Sequence, residues 1–325
     1  MKSAPSRFRW FGLLAAAATL NFASPSWAAD PNDNVLRIGY QKYGTLILLK
    51  ATGALEKRLA PLGVKVTWAE FPAGPQLLEG LNVGSVDFGT TGETPPVFAQ
   101  AAGANLNYIG FEPPAPAGEA IIVPKSSAIK TVADLKGKNV ALNKGSNVHY
   151  LLVKALEKSG LKYSDIKVSY LKPADARAAF ERGSVDAWVI WDPFLAAAEK
   201  QIGARVIADG KGIVSNHQFY LTEKTYGNRR PDVIAAVFDE IRKVDEWVLK
   251  SPHEAAVALA PHAGLDVETT ELALGRAGYG VQYLNDAVVA EQQRIADTFT
   301  ELKLIPKKLI VKEVVWTPKI KTANK

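Results

Sequence analysis

The chain reads as an α/β protein of two similar lobes, each a doubly wound sheet flanked by helices, joined by a double-crossover hinge. Three observations predict this. The tetrapeptide Gly-Ser-Val-Asp occupies 84–87 and returns at 183–186, 99 residues on. Around it Gly44 pairs with Gly145, Leu55-Glu56-Lys57 with Leu156-Glu157-Lys158, and the stretch 64–68 with 166–170, at nearly the same offset. Within each copy short apolar runs alternate with helical patterns, which indicates parallel strands with helices packed on both faces. A period near a hundred residues is the size of a whole lobe rather than of a solenoid repeat. Two lobes leave a cleft between them, where a small ligand would sit.

The first lobe opens with a strand at 35–40, a helix over 45–59 and a second strand at 64–71. Gly74-Pro75 starts a helix at 76–83, a short buried strand follows at 86–89, and Thr94 before Pro95 suits the cap and first position of another helix. A strand at 107–111 completes this copy. The second copy has strands at 139–142, 166–171 and 185–190, with helices at 148–158 and 176–182 between them. Asp192 is placed to cap a helix beginning at Pro193. The runs 120–123 and 216–221 flank this copy as the two crossover strands. Helices over 232–249, 253–260, 267–277 and 287–302 then return to the first lobe, and the stretch 306–325 looks irregular. The boundaries follow: 33–120 and 221–325 for the first lobe, 121–220 for the second.

Residues 1–28 stand apart. Lys2, Arg7 and Arg9 precede an apolar run at 10–20, too short to span a bilayer, and Ser26-Trp27-Ala28 supplies small residues at −3 and −1. This is the pattern of an export signal cleaved after Ala28, and it predicts a periplasmic protein. Of the 39 basic residues three go with that segment, leaving 36 against 33 acids. So mild a balance gives no support for nucleic-acid binding. The chain has no cysteine, hence no disulfide and no thiolate chemistry. Its four histidines show no metal-ligand spacing, and no nucleophile motif is present. No catalytic residue, metal or cofactor is expected, and the protein is expected to act as a monomer.

Ligands of parallel sheets bind beyond the carboxyl ends of the strands, beside helix N-termini whose free N–H groups favour an anion. The turns that meet this description carry Gln41, then Thr90, Thr91, Gly92 and Glu93, then Gly145, Ser146 and Asn147 with His149, and finally Trp191 and Asp192. Hydroxyls and amides there would supply donors without any required arginine. Tyr40, Tyr43, Phe111, Phe219 and Tyr220 cluster near the same turns; Trp191 and Phe219 are candidates for an aromatic wall. Trp68, Phe88 and Trp188 are expected in the core. Glu93 is awkward beside an anion, and meets either helix-start backbone or a cationic group on a ligand.

Several stretches then resemble one family. Arg37-Ile38-Gly39-Tyr40-Gln41-Lys42, Glu70-Phe71-Pro72-Ala73-Gly74-Pro75-Gln76 and Pro173-Ala174-Asp175-Ala176-Arg177 are similar to the periplasmic aliphatic sulfonate-binding proteins of ABC importers, as is Trp188-Val189-Ile190-Trp191-Asp192-Pro193. The resemblance runs from about Leu36 to Pro318. It implies a type II periplasmic solute-binding fold that closes on an alkanesulfonate and delivers it to a permease in the inner membrane. It also implies that Gln41, Thr91-Gly92-Glu93, Gly145-Ser146-Asn147, His149 and Trp191-Asp192 line the site, with Glu93 in place of an expected Asp and Asn147 in place of Ser. Receptors for taurine, nitrate or a thiamine precursor share the scaffold and remain alternatives. A transcription regulator built on the same lobes would need a DNA-binding helix-turn-helix and no export signal.

Overall fold

A computed structural model of the chain describes residues 31–317; the stretch 1–28 read as an export signal and the last eight residues lie outside them. Val35–Tyr40 forms β1. Thr45–Thr52 and Ala54–Leu59 form α1 and α2, where the sequence pattern predicts one helix. Gly53 separates them with a φ of 60°, a left-handed conformation that costs glycine nothing. Lys65–Glu70 is β2, Gly74–Asn82 α3 and Phe88–Gly92 β3; β2 and β3 run parallel on either side of β1. Pro95–Ala101 is α4 and Leu106–Phe111 is β4. Thr94 precedes α4 as expected, but its side chain makes no capping hydrogen bond.

The second copy enters through Glu119–Val123, β5, and repeats the pattern. Asn139–Leu142 is β6, Asn147–Lys158 α5, Lys167–Tyr170 β7, Pro173–Glu181 α6 and Ala187–Trp191 β8. Here β7 and β8 run parallel on either side of β6. Phe194–Ile202 forms α7, one residue later than predicted. Asp192 still serves its start, since its Oδ1 accepts the Ala196 N–H at 2.9 Å. Arg205–Asp209 is β9, a strand the sequence pattern did not indicate.

The repeated tetrapeptide does the same work twice. Gly84 and Gly183 take φ of 72° and 70°, so each chain turns out of a helix into a strand. The Asp87 N–H then donates to the Arg37 carbonyl while Arg37 N–H donates back to Asp87 Oδ2 at 2.8 Å. Asp186 and Asn139 exchange the equivalent pair, with Asn139 N–H to Asp186 Oδ2 at 2.7 Å. The motif fastens β3 to the beginning of β1, and β8 to the beginning of β6.

The chain returns through Gln218–Glu223, β10, which lies antiparallel between β3 and β4. That pairing draws Thr90, Thr91 and Gly92 into β3, beyond the predicted end at residue 89. Lys224–Arg229, Pro231–Lys250, Pro252–Ala263, Val267–Leu274 and Asp286–Glu301 are α8 to α12, and Gln282–Tyr283 is a short β11. The result is a six-stranded sheet ordered β11-β4-β10-β3-β1-β2 and a five-stranded sheet ordered β7-β6-β8-β5-β9. Each crossing strand is held inside the sheet it enters, and the free connections are the short stretches before β5 and before β10. The expected irregular tail is in part anchored: Trp316 is buried and its N–H donates to the Tyr108 carbonyl at 2.8 Å. No helix among the described residues is long and apolar enough to cross a membrane.

Candidate functional site

The carboxyl ends of both sheets meet around two adjoining cavities. The outer one, about 280 Å³, lies between the Gln41–Tyr43 segment after β1, Phe71 and Pro72 after β2, and the start of α6 at Pro173. The inner one, about 60 Å³, lies toward the crossing segments, among Gly92, Glu112, Asn147, Gln218 and Arg276. Tyr43 and Trp191 line both. These two rings divide one cleft into a small chamber holding Asn147, Gln218 and Arg276 and a larger one walled by Phe71, Pro72, Pro173 and Phe194, with Lys42, Glu70, Lys172 and Asp175 also along it.

Close contact between the halves borders the inner chamber. A Cβ built on Gly92 would lie 2.8 Å from the Asn147 side chain, so only glycine lets β3 approach the start of α5. Asn147 is held there by both hydrogens of its amide, one on Glu119 and one on Asn216 Oδ1 at 3.0 Å. The Arg276 guanidinium meets Glu199 at 2.7 Å and Asp192 at 3.6 Å.

Several carboxyls are buried around this chamber, and burial raises every one. Asp192 is pushed up to about 7 by desolvation, against the pull of Arg276. Glu93 rises to about 8 for the same reason, although the His217 N–H donates to its Oε2 at 3.0 Å. Glu119 lies well above the usual carboxylate range through burial and the nearby Glu93, opposed by its bond from Asn147. Near neutral pH the chamber walls therefore carry less negative charge than their composition suggests.

The structure brings Gly92, Asn147, Trp191 and Asp192 to the inner chamber and Gln41 and Trp191 to the outer. The other candidates sit behind the walls. Thr90 Oγ1 donates to the Phe219 carbonyl, Thr91 Oγ1 to the Gly92 carbonyl and Ser146 Oγ to the Asn143 carbonyl. A buried hydroxyl takes the nearest acceptor, and these three are spent on backbone. Phe219 packs edge-on against Tyr108 in the core. Glu93 is buried between His217 and α12, whose Gln292 donates to its carbonyl.

His149 calls for a firmer revision. Its Nδ1 accepts the Gly145 N–H at 3.3 Å, its Nε2 meets the Tyr163 hydroxyl at 2.8 Å, and its ring stacks on Phe98. Burial, reinforced by Lys144, pushes it down to about 3, so the imidazole is neutral and offers no charge to an anion. Gly145 contributes by conformation: its φ of 72° brings the chain past Phe98.

Glu112, Gln218 and Arg276 were not among the sequence candidates. Glu112 left a faint signal, an acid directly after the apolar strand β4 and before Pro113-Pro114. Arg276 left none, because it follows α11 in the part of the chain without a repeat partner.

Comparison with known proteins agrees with this architecture. The NMT1/THI5-like family profile matches residues 61–255. An aliphatic sulfonates-binding protein of Escherichia coli (strain K12) is 45% identical over 307 residues, 94% of this chain and 96% of the relative. The structure of the alkanesulfonate-binding protein SsuA from Xanthomonas axonopodis pv. citri bound to MOPS superposes with a TM-score of 0.84 at 45% identity, covering 89% of this chain and 99% of that one. The desulfurization enzyme DSZB shares the fold, with a TM-score of 0.61 at 16% identity over 88% of this chain and 97% of its own.

Proposed function

Because this chain belongs to the NMT1/THI5-like family, with relatives that bind aliphatic sulfonates, we propose that it is the solute receptor of an ABC importer. It captures an alkanesulfonate in the cleft between its two sheets, as a receptor and not as an enzyme. The observation that carries this reading is the division of one cleft by Tyr43 and Trp191. A small chamber with Asn147, Gln218 and Arg276 on its walls suits a compact anionic head group, and a chamber several times larger suits a tail of variable length.

In the inner chamber Arg276 supplies positive charge. One amide hydrogen of Gln218 is spent on the Tyr220 hydroxyl at 3.2 Å, which leaves the other for a ligand, and the Trp191 indole N–H makes no bond to protein among the described residues. The start of α5 adds the favourable end of a helix dipole, about 0.3–1 kcal/mol toward an anion. With hydrogen bonds to a charged group at about 1.5–3 kcal/mol each, these reach micromolar affinity. Contacts such as Gly92 with Asn147 and Arg276 with Glu199 form only when the two halves are together, so closure about the segments before β5 and β10 completes the site. The expected export signal, a periplasmic location, monomeric action and delivery to an inner-membrane permease complete the reading.

A thermal-shift screen over alkanesulfonates, sulfate, nitrate and taurine tests it; stabilisation by sulfate or nitrate alone would overturn the sulfonate assignment. Calorimetry from methanesulfonate upward should gain at most about 0.8 kcal/mol per methylene until the outer chamber is full. Trp191→Ala should flatten that series, and an equal loss at every length would remove Trp191 from the tail wall.

A further inference from the structure

Asn216 stands in the crossing segment before β10, and its side chain joins three parts of the molecule. Its Nδ2 donates to the carbonyl of Ala115, in the other crossing segment, at 2.8 Å. Its Oδ1 accepts from Asn147, at the start of α5 in the second half, at 3.0 Å. An amide nitrogen only donates and an amide or backbone oxygen only accepts. Since Asn147 Nδ2 also serves Glu119, one directed chain of bonds runs through both side chains and fixes how each amide is turned.

The base of this arm belongs to the first half. Ser215 and His217, on either side of Asn216, both reach one oxygen, Glu291 Oε2 of α12, at 3.1 and 3.2 Å. The His217 N–H donates to Glu93, one residue beyond β3, and the His217 ring meets the Glu112 carbonyl at 2.8 Å. The Ala115 N–H donates to the Ser215 carbonyl at 3.1 Å and ties the two crossing segments together. Asn216 itself takes a φ of 52°, a left-handed conformation that asparagine adopts more readily than most residues.

The tip reaches the other half. The second bond of Asn147, to Glu119 at the start of β5, lies within the five-stranded half and travels with it. Opening about the crossing segments therefore parts Asn147 from Asn216 and leaves the other bonds of both residues in place. We infer that Asn216 is a positioning residue for closure, a latch in the hinge whose Oδ1 catches the start of α5 as the halves come together. A contact made in the closed form and lost in the open one raises the closed population, with or without ligand. It also holds Asn147 at the wall of the inner chamber. This rests on the receptor reading above.

The test is a double-mutant cycle read on ligand release and on closure. Asn216→Gly keeps the left-handed backbone and removes the arm, and Asn147→Ala removes what the arm catches. The chain has no cysteine, so one exposed cysteine engineered into each half carries a fluorescent pair that reports their separation. Asn216→Gly should release methanesulfonate about 3- to 10-fold faster, the worth of one neutral hydrogen bond, with association and melting temperature nearly unchanged. The labelled pair should show a larger open fraction. In the Asn147→Ala background Asn216→Gly should add little, because the two side chains act as one contact. Additive losses, or unchanged release from Asn216→Gly, would overturn the latch and leave the receptor reading intact. Faster release with the separation of the halves unaltered would overturn it too, and make Asn216 a direct contact of the ligand. A wild type that binds no sulfonate sinks the receptor reading. The latch is then judged on the ligand-free halves, where equal open fractions in wild type and Asn216→Gly would end it as well.

Discussion

Strands β3 and β8 are the same element in the two copies, five residues each and fastened by the same Asp, yet their side chains are opposites. At the 99-residue offset Gly89 faces Trp188 and Gly92 faces Trp191. In the first copy glycine brings neighbours in: a Cβ on Gly89 would lie 2.7 Å from Leu77 of α3, and one on Gly92 would strike Asn147 of the other half. In the second copy tryptophan keeps neighbours apart: Trp188 fills the space beneath Phe180 of α6, and Trp191 stands between the two chambers. The comparison teaches that a duplicated backbone makes two lobes, while the divergence of its side chains makes a cleft with one close-packed side and one aromatic side.

The largest expected effect concerns the inner pair. Trp188→Ala should cost about 3–5 kcal/mol in urea denaturation, as the loss of a wholly buried ring. Gly89→Ala should cost about 1–3 kcal/mol, because Leu77 can yield but the Gly39 carbonyl, 3.1 Å away, cannot. Equal costs would break the contrast between a space-filled and a close-packed strand.

The two copies of Asp should separate next. Asp87 is buried and bound bidentately by Arg37 at 2.6 and 2.8 Å, so Asp87→Ala should cost about 2–3 kcal/mol. Asp186 is exposed and serves one backbone N–H, so Asp186→Ala should cost about 0.5–1.5 kcal/mol. The same denaturation series measures both, and a larger loss at Asp186 would refute the ranking.

Glu93 and Asp192 are also repeat mates, one residue beyond Gly92 and Trp191. The fold holds a proton on Glu93 up to about pH 8 and on Asp192 up to about pH 7, whereas the unfolded chain releases them near 4.5 and 3.8. Their contribution to stability is therefore full below those lower values and is lost as pH rises to 8 and 7, at about 1.4 kcal/mol per unit for each group. His149 runs the other way: neutral in the fold down to about pH 3, it costs stability as pH falls below 6.5. Glu93→Gln should flatten the decline up to pH 8 and Asp192→Asn only up to pH 7. Thermal melts across pH 5–9 distinguish them, and an unchanged slope in both variants would contradict their burial as acids.

The smallest effect is expected at Gly92. An alanine there must push back the Asn147 side chain, and since Glu119 and Asn216 hold its amide, closure should weaken rather than folding. Methanesulfonate affinity should fall by about 1 kcal/mol, close to fivefold, with little change in melting temperature. A reversed pattern, with stability lost and affinity kept, would place the contact in the core of one half.

Local chemistry explains which parts were readable. A glycine free to take positive φ, an aspartate returning to the strand start and an alternation of apolar runs with helical patterns are short-range features. They disclosed the repeat, the succession of strands and helices along the chain and the carboxyl ends beside which the cavities lie. Gly92, Asn147, Trp191, Asp192 and Gln41 reach the cavities because they stand at those ends. The break at Gly53 is local, but the misplaced end of β3 is not: β3 reaches Gly92 because β10, more than a hundred residues later, pairs with it.

What the sequence by itself determined, then, is the duplicated α/β scaffold and the class of place where a small anion would bind. Tertiary structure alone decided which polar groups face that place. Thr90, Thr91 and Ser146 look like donors in sequence and are spent on carbonyls that folding sets beside them. His149 looks like a titrating contact and is made neutral by burial against Phe98 and Tyr163. Arg276 carries no local sign of a role and Glu112 only a faint one, and they meet in one chamber because α9, α11 and β10 fold back on the first sheet. A charge's environment is the sum of everything packed around it, and in a long chain most of that comes from far away in sequence.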